Sequence, residues 1–406
     1  MTAYDDALAR LLNTPTLPKL GLARMLALCI ALDDVHRAVP VLHIAGTKGK
    51  GSTAAMTASI LRAAGLKVGL TTSPHLLSAR ERIQIDGALI DEDTFVAIER
   101  RVDAAARTIA TELETPSFFE RITAIAFCAF ADAKVDVAVV EVGLGGRLDA
   151  TNVVVPQACA ITRLGLDHTE FLGPTLAHIA AEKAGIIKGG VAVVTVPQHD
   201  DALDVIRHTA AGLEAPLSVV DVDEALEPAL AGPHQKENAA LAVALVAAGG
   251  FVVDADVVAR GLRDVRWPGR YETVSDDPLV ILDGAHDDLA AHALVAALDA
   301  DARLVGRARH VVVGMSSGHD PAPFLATLHG ASPTSIIATR AQHPRALPTS
   351  SIGTDGIDDV AAALDEAQRR ARGDGGVVVV TGSLFVVGEA RGLFRRMPRD
   401  TARPAY

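Results

Sequence analysis

The stretch Val41-Leu42-His43-Ile44-Ala45-Gly46-Thr47-Lys48-Gly49-Lys50-Gly51-Ser52-Thr53 decides how the chain is read. A largely apolar strand runs into a glycine-rich turn, then a lysine, then small hydroxyl residues that open an Ala-rich helix over 52–64. Glycines let backbone N–H groups close on phosphate oxygens, and a helix N-terminus adds unpaired donors and partial positive charge. Lys50 is placed to reach terminal phosphates, and Ser52 or Thr53 to offer an oxygen to Mg²⁺. The spacing is not that of G-x-x-x-x-G-K-[ST]: Gly46 lies four residues before Lys50, and Gly51 follows it. On local context alone, a flexible strand-to-helix turn competes with the phosphate loop.

Outward from this stretch, further apolar runs read as buried strands at 41–45, 68–72, 135–141, 158–164 and 191–196. Segments of helical length, such as 52–64 and Leu176–Ala184, separate them. A second series at 279–283, 310–314, Ser335–Thr339 and Val377–Thr381 alternates with helical stretches at 289–298 and 360–371. Such alternation predicts parallel sheets with crossover helices. Between the series lie a helical stretch at 238–248, a short helix ending near Arg263, and then Trp267-Pro268-Gly269-Arg270. Adjacent Pro and Gly mark a break. The expected domains are therefore 1–268 and 269–406, in line with two domains for 406 residues at roughly 150 each. The tail 395–406 is polar, carries two prolines and is expected to fray.

Composition agrees with an α/β protein. The apolar fraction is 49% and aromatics are only 3%, so the cores are built from Ala, Val and Leu. Acidic residues outnumber basic ones by 50 to 38, giving a net charge of −12, so no chain-wide basic footprint for nucleic acid exists. No apolar stretch is long enough to span a membrane, and the acidic, amphipathic start is unlike a signal peptide. Cys29, Cys128 and Cys159 are scattered through apolar runs and read as buried reduced thiols, which points to the cytoplasm.

Three downstream segments carry candidate chemistry. In Asp136–Asn152 a buried strand ends in Glu141 before the turn Val142-Gly143-Leu144-Gly145-Gly146-Arg147-Leu148-Asp149-Ala150-Thr151-Asn152. A carboxylate at the carboxyl edge of a parallel sheet stands where such folds bind ligands, and a hard oxygen there suits Mg²⁺. A solvated strand-end charge is the bland alternative. Asp167-His168 follows the next strand, and a surface histidine is the ordinary explanation for it. Lys183, in Glu182-Lys183-Ala184-Gly185-Ile186, reads locally as a snorkelling side chain. Earlier, Ser73-Pro74-His75-Leu76 precedes Arg80-Glu81-Arg82, by itself a solvated charge cluster.

Together these segments resemble the folylpolyglutamate synthase/dihydrofolate synthase family of the Mur ligase superfamily, over most of the chain. Gly46-Thr47-x-Gly49-Lys50-Gly51-Ser52 is similar to its variant phosphate loop, and the E-V-G-L-G-G-R-x-D-A-T-N run matches in full. His234-Gln235-x-x-Asn238-Ala239-Ala240, Trp267-Pro268-Gly269-Arg270, Asp283-Gly284-Ala285-His286 and Thr381-Gly382-Ser383-Leu384 also match its motifs. The resemblance implies an N-terminal P-loop-type, mostly parallel sheet domain and a smaller C-terminal Rossmann-like α/β domain that takes glutamate. It implies ATP contacts from Gly46, Thr47, Gly49, Lys50, Gly51, Ser52, Thr53, Asn238, Arg270 and Asp283. It implies two Mg²⁺ held by Ser52, Ser73, Glu141, His168 and a carbamylated Lys183. Substrate contacts fall to Ser73, His75, Arg82, His286 and Ser383, and catalytic roles to Lys50, Lys183 and His286.

The implied activity is ATP-dependent addition of L-glutamate to dihydropteroate, a reduced folate, or both, through an acyl phosphate, by a monomer with small-molecule partners, no nucleic acid and no membrane. Departures from the family pattern are Lys48 in place of Asn, Asp287-Asp288 in place of Asn-Pro, and an altered turn at 314–320. The last two cluster near the glutamate end. They keep open a Mur-type ligase for a different amino acid and carboxylate. A phosphate-transferring ATPase or kinase and an inactive binding protein are the other rivals.

Overall fold

The computed structural model describes residues 2–15, 21–111, 113–318, 320–353, 356–395 and 399–400. Most of the tail expected to fray, and His319 of the altered turn, lie outside the described residues. Two compact units form. The first comprises Met1–His75, Ala79–Ala229 and Gln235–Val265; the second comprises Leu76–Ser78, Leu230–His234 and the chain from Arg266 onward.

The first unit holds eight strands: β1 (Val41–Ala45), β2 (Val68–Thr71), β3 (Ile83–Ile85), β4 (Ala88–Leu89), β5 (Val137–Glu141), β6 (Ala158–Ile161), β7 (Ala192–Thr195) and β8 (Leu217–Val219). Their order is β4-β3-β2-β5-β1-β6-β7-β8. The central run is parallel, and the β3–β4 hairpin is antiparallel. Every residue of β1, β5 and β6 is buried. Covered on both faces, these strands read as continuous apolar runs, which is why they stand out in sequence. The short strands β3, β4 and β8 are half exposed and carry no such signal.

The second unit adds β9 (Glu272–Asp276), β10 (Leu279–Leu282), β11 (Arg309–Val313), β12 (Ser335–Thr339), β13 (Gly356–Ile357) and β14 (Val377–Thr381), ordered β13-β12-β11-β14-β10-β9. Only β9 runs antiparallel. Alternate residues of one strand feed two separate cores. Val280, Leu282, Val378 and Val380 pack toward the helices Val360–Asp374 and Leu384–Phe394. Leu279, Ile281, Val377 and Val379 pack toward Asp288–Ala300 and Pro321–Gly330. Both units are thus α/β with parallel-dominated sheets, as expected, while the antiparallel margins were not.

Several strands end earlier than their apolar runs. β6 stops at Ile161 and β10 at Leu282, so Thr162–Leu164 and Asp283 belong to turns. The helix after β1 starts at Lys50, two residues ahead of expectation. These residues have left regular pairing to form the carboxyl edge, where parallel α/β sheets bind ligands. The three cysteines are buried free thiols, pushed up to about 12 by burial. No helix among the described residues is long and apolar enough to cross a membrane.

Candidate active site

β2, β5, β1 and β6 are sheet neighbours and all run the same way. Their carboxyl ends therefore present four turns side by side: 72–75, 142–152, 46–49 and 162–168. Gly46, Thr47, Gly49, Ser73, His75 and His168 come from these turns, Glu141 ends β5, Lys50, Gly51, Ser52 and Thr53 open the helix after β1, and Arg82, Lys183 and Asn238 come from other elements.

The phosphate loop is shaped by contacts that exclude side chains. Gly46 and Gly49 have φ of 148° and 88°. A Cβ on Gly46 would lie 1.8 Å from Thr162 Oγ1, and one on Gly49 2.2 Å from Asn238 Oδ1. The Thr47 and Lys48 N–H groups donate to the Arg163 carbonyl at 3.1 and 3.0 Å, and Thr47 Oγ1 donates to Gly165 O at 3.2 Å. The first intrahelical bond is Thr53 N–H to Gly49 O, so the N–H groups of Lys50, Gly51 and Ser52 precede the helix ladder. Gly49 offers them no side-chain cap. Asn238, on the helix His234–Ala248, holds the loop from the other side: its Oδ1 accepts from Thr53 Oγ1 at 3.5 Å, and its Nδ2 donates to Gln235.

Two lysines stand at this edge, Lys50 half-buried and Lys183 buried. Lys50 Nζ donates to the carbonyls of Gly46 and Thr47 at 3.1 and 3.3 Å. Burial lowers its pKa, opposed by the charge of Glu141. Lys183 ends the helix Leu176–Ala184 and is 4% exposed. Burial, then the charge of Lys50, bring it down to about 7, against the pull of Asp167 and Asp149. A lysine so placed supplies the neutral amine that reaction with CO₂ needs.

Glu141 is buried, and its Oε2 accepts the Ser73 N–H at 2.9 Å, which ties the β2 turn to the end of β5. His75 and Arg82 form their own pair: Arg82 Nε donates to His75 Nδ1 at 2.9 Å, and the guanidinium lies over the Phe118 ring. His168 stands apart from this buried group. It occupies left-handed backbone, φ 50°, and its side chain is half exposed. Among the described residues no three His, Cys, Asp or Glu side chains converge as a metal centre. The side chains of this edge whose hard oxygens suit a divalent cation are Glu141 and the Ser52 and Ser73 hydroxyls.

Sequence reasoning missed the supports of these groups. Asp149 accepts from Leu144 N–H, Thr151 N–H and Thr151 Oγ1, which fixes the turn after Glu141. Since Thr151 Oγ1 donates there, it accepts from His43 Nε2 at 2.8 Å. Burial holds His43 near 3, hence neutral. Asn152 Nδ2 donates to the carbonyls of Arg147 and Gly185, stitching the same turn to the end of the Lys183 helix. The available signal was a histidine inside an apolar strand, a position that demands a buried partner.

In the second unit, Asp283 follows β10 and accepts N–H bonds from Tyr271 and Ala285, both 2.9 Å. Burial raises its pKa, and Arg270 opposes that shift. Arg270 Nη1 folds back on the Gly269 carbonyl at 3.2 Å. His286 Nδ1 donates to Gly284 O at 2.9 Å. Gly382 N–H donates to Ala285 O, so the Ser383 turn after β14 adjoins the Asp283–His286 turn. Ser383 Oγ caps the helix Leu384–Phe394 by accepting from Val386 N–H. Asp287 caps Asp288–Ala300, and Asp288 accepts from Thr327 Oγ1 at 2.7 Å. Both unusual aspartates thus have local structural partners.

Comparison with known proteins returns one consistent answer. The model of the Mur ligase middle domain matches residues 44–226. The chain is 37% identical, over 98% of its length, to the probable bifunctional folylpolyglutamate synthase/dihydropteroate synthase of Halobacterium salinarum, and spans 52% of that protein. In structure it is similar to Mycobacterium tuberculosis folylpolyglutamate synthase complexed with ADP and AMPPCP: TM-score 0.90, 33% identity, 98% of this chain and 99% of that one. It is also similar to Yersinia pestis bifunctional folylpolyglutamate synthase/dihydrofolate synthase complexed with AMPPNP and a manganese ion: TM-score 0.87, 31% identity, 97% of this chain and 98% of that one.

Proposed function

The chain belongs to the folylpolyglutamate synthase/dihydrofolate synthase family of the Mur ligases, and from that we propose an ATP-dependent ligase that joins L-glutamate to dihydropteroate, a reduced folate, or both. The observation that carries this reading is the uncapped helix N-terminus at Gly49 with two lysines at the same sheet edge, the half-buried Lys50 and the buried Lys183, both lowered in pKa by burial. Few sites without a multiply charged ligand have use for such a cluster.

The substrate carboxylate attacks the γ-phosphorus of ATP, the bond to the β,γ-bridging oxygen breaks, and ADP leaves. The glutamate amine then attacks the acyl carbon and phosphate departs. Phosphoryl transfer needs positioning and charge neutralisation more than covalent help. The N–H groups of 50–52 and Lys50 hold the phosphates, with Asn238 and Thr53 bracing the loop from behind. The family resemblance assigns Arg270 and Asp283 to the nucleotide, and His286 and Ser383 to the incoming glutamate. Arg82, locked by His75, meets the pterin-linked substrate. Lys183 takes up CO₂, losing a proton to give a carbamate. Glu141, Ser52, Ser73, His168 and that carbamate would hold two Mg²⁺, which offset charge on the phosphates. The enzyme acts as a cytoplasmic monomer. Asp287 and Asp288 serve as cap and hydrogen-bond acceptor, so no observation favours a different amino acid.

ADP release with ATP and Mg²⁺ tests this, with dihydropteroate, tetrahydrofolate and L-glutamate added singly and in pairs and products weighed by mass spectrometry. Turnover that requires a pterin and glutamate together, with a gain of one glutamyl unit, is expected. Continued ADP turnover without glutamate, or no glutamyl product when both substrates are present, would sink the ligase reading.

A further inference from the structure

The phosphate loop is gripped from two sides, and one side-chain pair joins the grips. On one side, the Thr47 and Lys48 N–H groups donate to the Arg163 carbonyl, in the turn after β6. On the other, Asn238 Oδ1 accepts from the Thr53 hydroxyl and stands where a Cβ on Gly49 would fall. Across 74 residues of chain, Arg163 Nε donates to Glu237 Oε1 at 3.0 Å, and Arg163 Nη2 donates to Glu237 Oε2. Glu237 immediately precedes Asn238. The contacts therefore close a ring, from the loop N–H groups to the Arg163 carbonyl, through the guanidinium to Glu237, and back through Asn238 to the loop.

Among the described residues the two side chains bond only to each other. Hydrogen bonding to Glu237 raises the Arg163 pKa, against the opposing effect of burial. Arg163 is 45% exposed and Glu237 only 14%. An exposed ion pair is ordinarily worth little, but a guanidinium fork on a carboxylate fixes direction as well as distance. That matters at this place. Glu237 lies in the first turn of the helix His234–Ala248, two residues after the chain enters the first unit at Gln235. A displacement of Asn238 reaches the loop directly, because Gly49 packs against it with no room for a side chain. Gly49 O takes the first intrahelical bond, so its place sets the open N–H groups that follow.

We propose that Arg163 and Glu237 are positioning residues for the nucleotide: their fork holds Asn238 and the 162–168 turn at a fixed separation, and with them the N–H groups of residues 50–52. The inference rests on the reading of this edge as a nucleotide site.

A pair that acted only through its charges on a bound polyanion would behave differently, and the difference is one of sign. Deleting the Arg163 charge weakens anion binding on either account. Deleting the Glu237 charge leaves a lone cation, which strengthens anion binding by charge alone but weakens it if the fork is a clamp. ADP affinity is measured by calorimetry with Mg²⁺ on the full chain, and a thermal melt checks that each variant is folded. Arg163→Met and Glu237→Gln should each weaken ADP binding roughly fivefold, and the double variant no more than either single one. Arg163→Lys, which keeps the charge and loses the fork, should also bind more weakly than wild type. Tighter ADP binding by Glu237→Gln, or wild-type affinity in Arg163→Lys, would make the pair an electrostatic element and overturn the proposal. Unchanged affinity in a folded Arg163→Met or Glu237→Gln would make it a structural tie alone and overturn it too, as would additive losses in the double variant. Should Arg163→Met fail to fold, Glu237→Gln decides by the same criteria. A wild-type protein that binds no ADP overturns the ligase reading along with this one, whereas failure of the variants alone leaves that reading standing.

Discussion

The carboxyl edges of the two sheets use the same kinds of residue for opposite ends. At the first edge, the helix Lys50–Ala63 begins at Gly49 with no side-chain cap, and its early N–H groups stay available to an anion. At the second, Asp287 and Ser383 sit at helix starts and accept those N–H groups themselves. Asp283 likewise accepts from two backbone N–H groups. The first edge keeps its helix end open beside Lys50 and the buried Lys183; the second closes its helix ends with Asp287 and with Ser383, a side chain that the family resemblance assigns to substrate. A polar residue at a strand end is therefore not informative by type. What its hydrogen bonds already satisfy decides what remains for a ligand.

The largest test of this contrast is Lys50→Ala. Lys50 bonds only to loop carbonyls and is desolvated, so removing it should cost little stability while turnover falls by roughly 10²–10³-fold. ADP release and a thermal melt, taken together, check this. A large fall in melting temperature would show that the first edge also depends on its chemical groups for structure.

Lys183 offers the next largest effect. Lys183→Ala should lose roughly a hundredfold in turnover, and formate or acetate should restore part of it by supplying the missing oxygen. The pH dependence of stability has a definite sign. The folded Lys183 is lowered to about 7 from 10.5, so between these values the unfolded chain binds more protons and stability rises with pH. The buried thiols, raised from 9.0, act in the opposite direction above that value, which leaves a window of about pH 7 to 9. Lys183→Met should flatten the rise in melting temperature across that window. An unchanged slope would mean that Lys183 is not held near neutrality.

The same contrast explains which parts were legible in sequence. β1, β5 and β14 are covered on both faces and announce themselves as unbroken apolar runs. β3, β4 and β13 are two or three residues long and half exposed, too short for either periodicity to register. Gly46 and Gly49 were recognisable because only glycine tolerates their backbone and the closeness of Thr162 and Asn238. The roles of Asp149 and His43 were not, since each depends on Thr151, far from His43 in sequence and fixed only by the pairing of β1 with β5. Lys48 was visible as a departure, but its partner Asp167 lies 119 residues away.

At the second edge, Ser383 tests whether one side chain serves both structure and substrate. Ser383→Ala removes the cap on Leu384–Phe394 and should cost about 1 kcal/mol, seen as a lower melting temperature. Ser383→Asp restores a capping oxygen, so stability should return, while the added charge opposes an acidic amino acid and raises KM for glutamate. Unchanged KM in both variants would make Ser383 a cap alone and would widen the contrast between the two edges.

Asp287 sets the lower bound. Asn caps about as well as Asp, so Asp287→Asn keeps the bond to the Ala290 N–H and loses the favourable charge at the helix start. It also loses the contact of Asp287 with His286 at 3.8 Å, between partly exposed groups. The expected change in stability is a few tenths of a kcal/mol, with KM for glutamate and the preference for glutamate over aspartate unmoved. Asp287→Ala, which deletes the cap itself, should cost about 1 kcal/mol and leave the same preference intact. A shift in amino-acid preference with Asp287→Asn would mean that the carboxylate acts on the substrate while its oxygen caps the helix. Hydrogen-bond satisfaction would then no longer separate the structural residues of this edge from the functional ones.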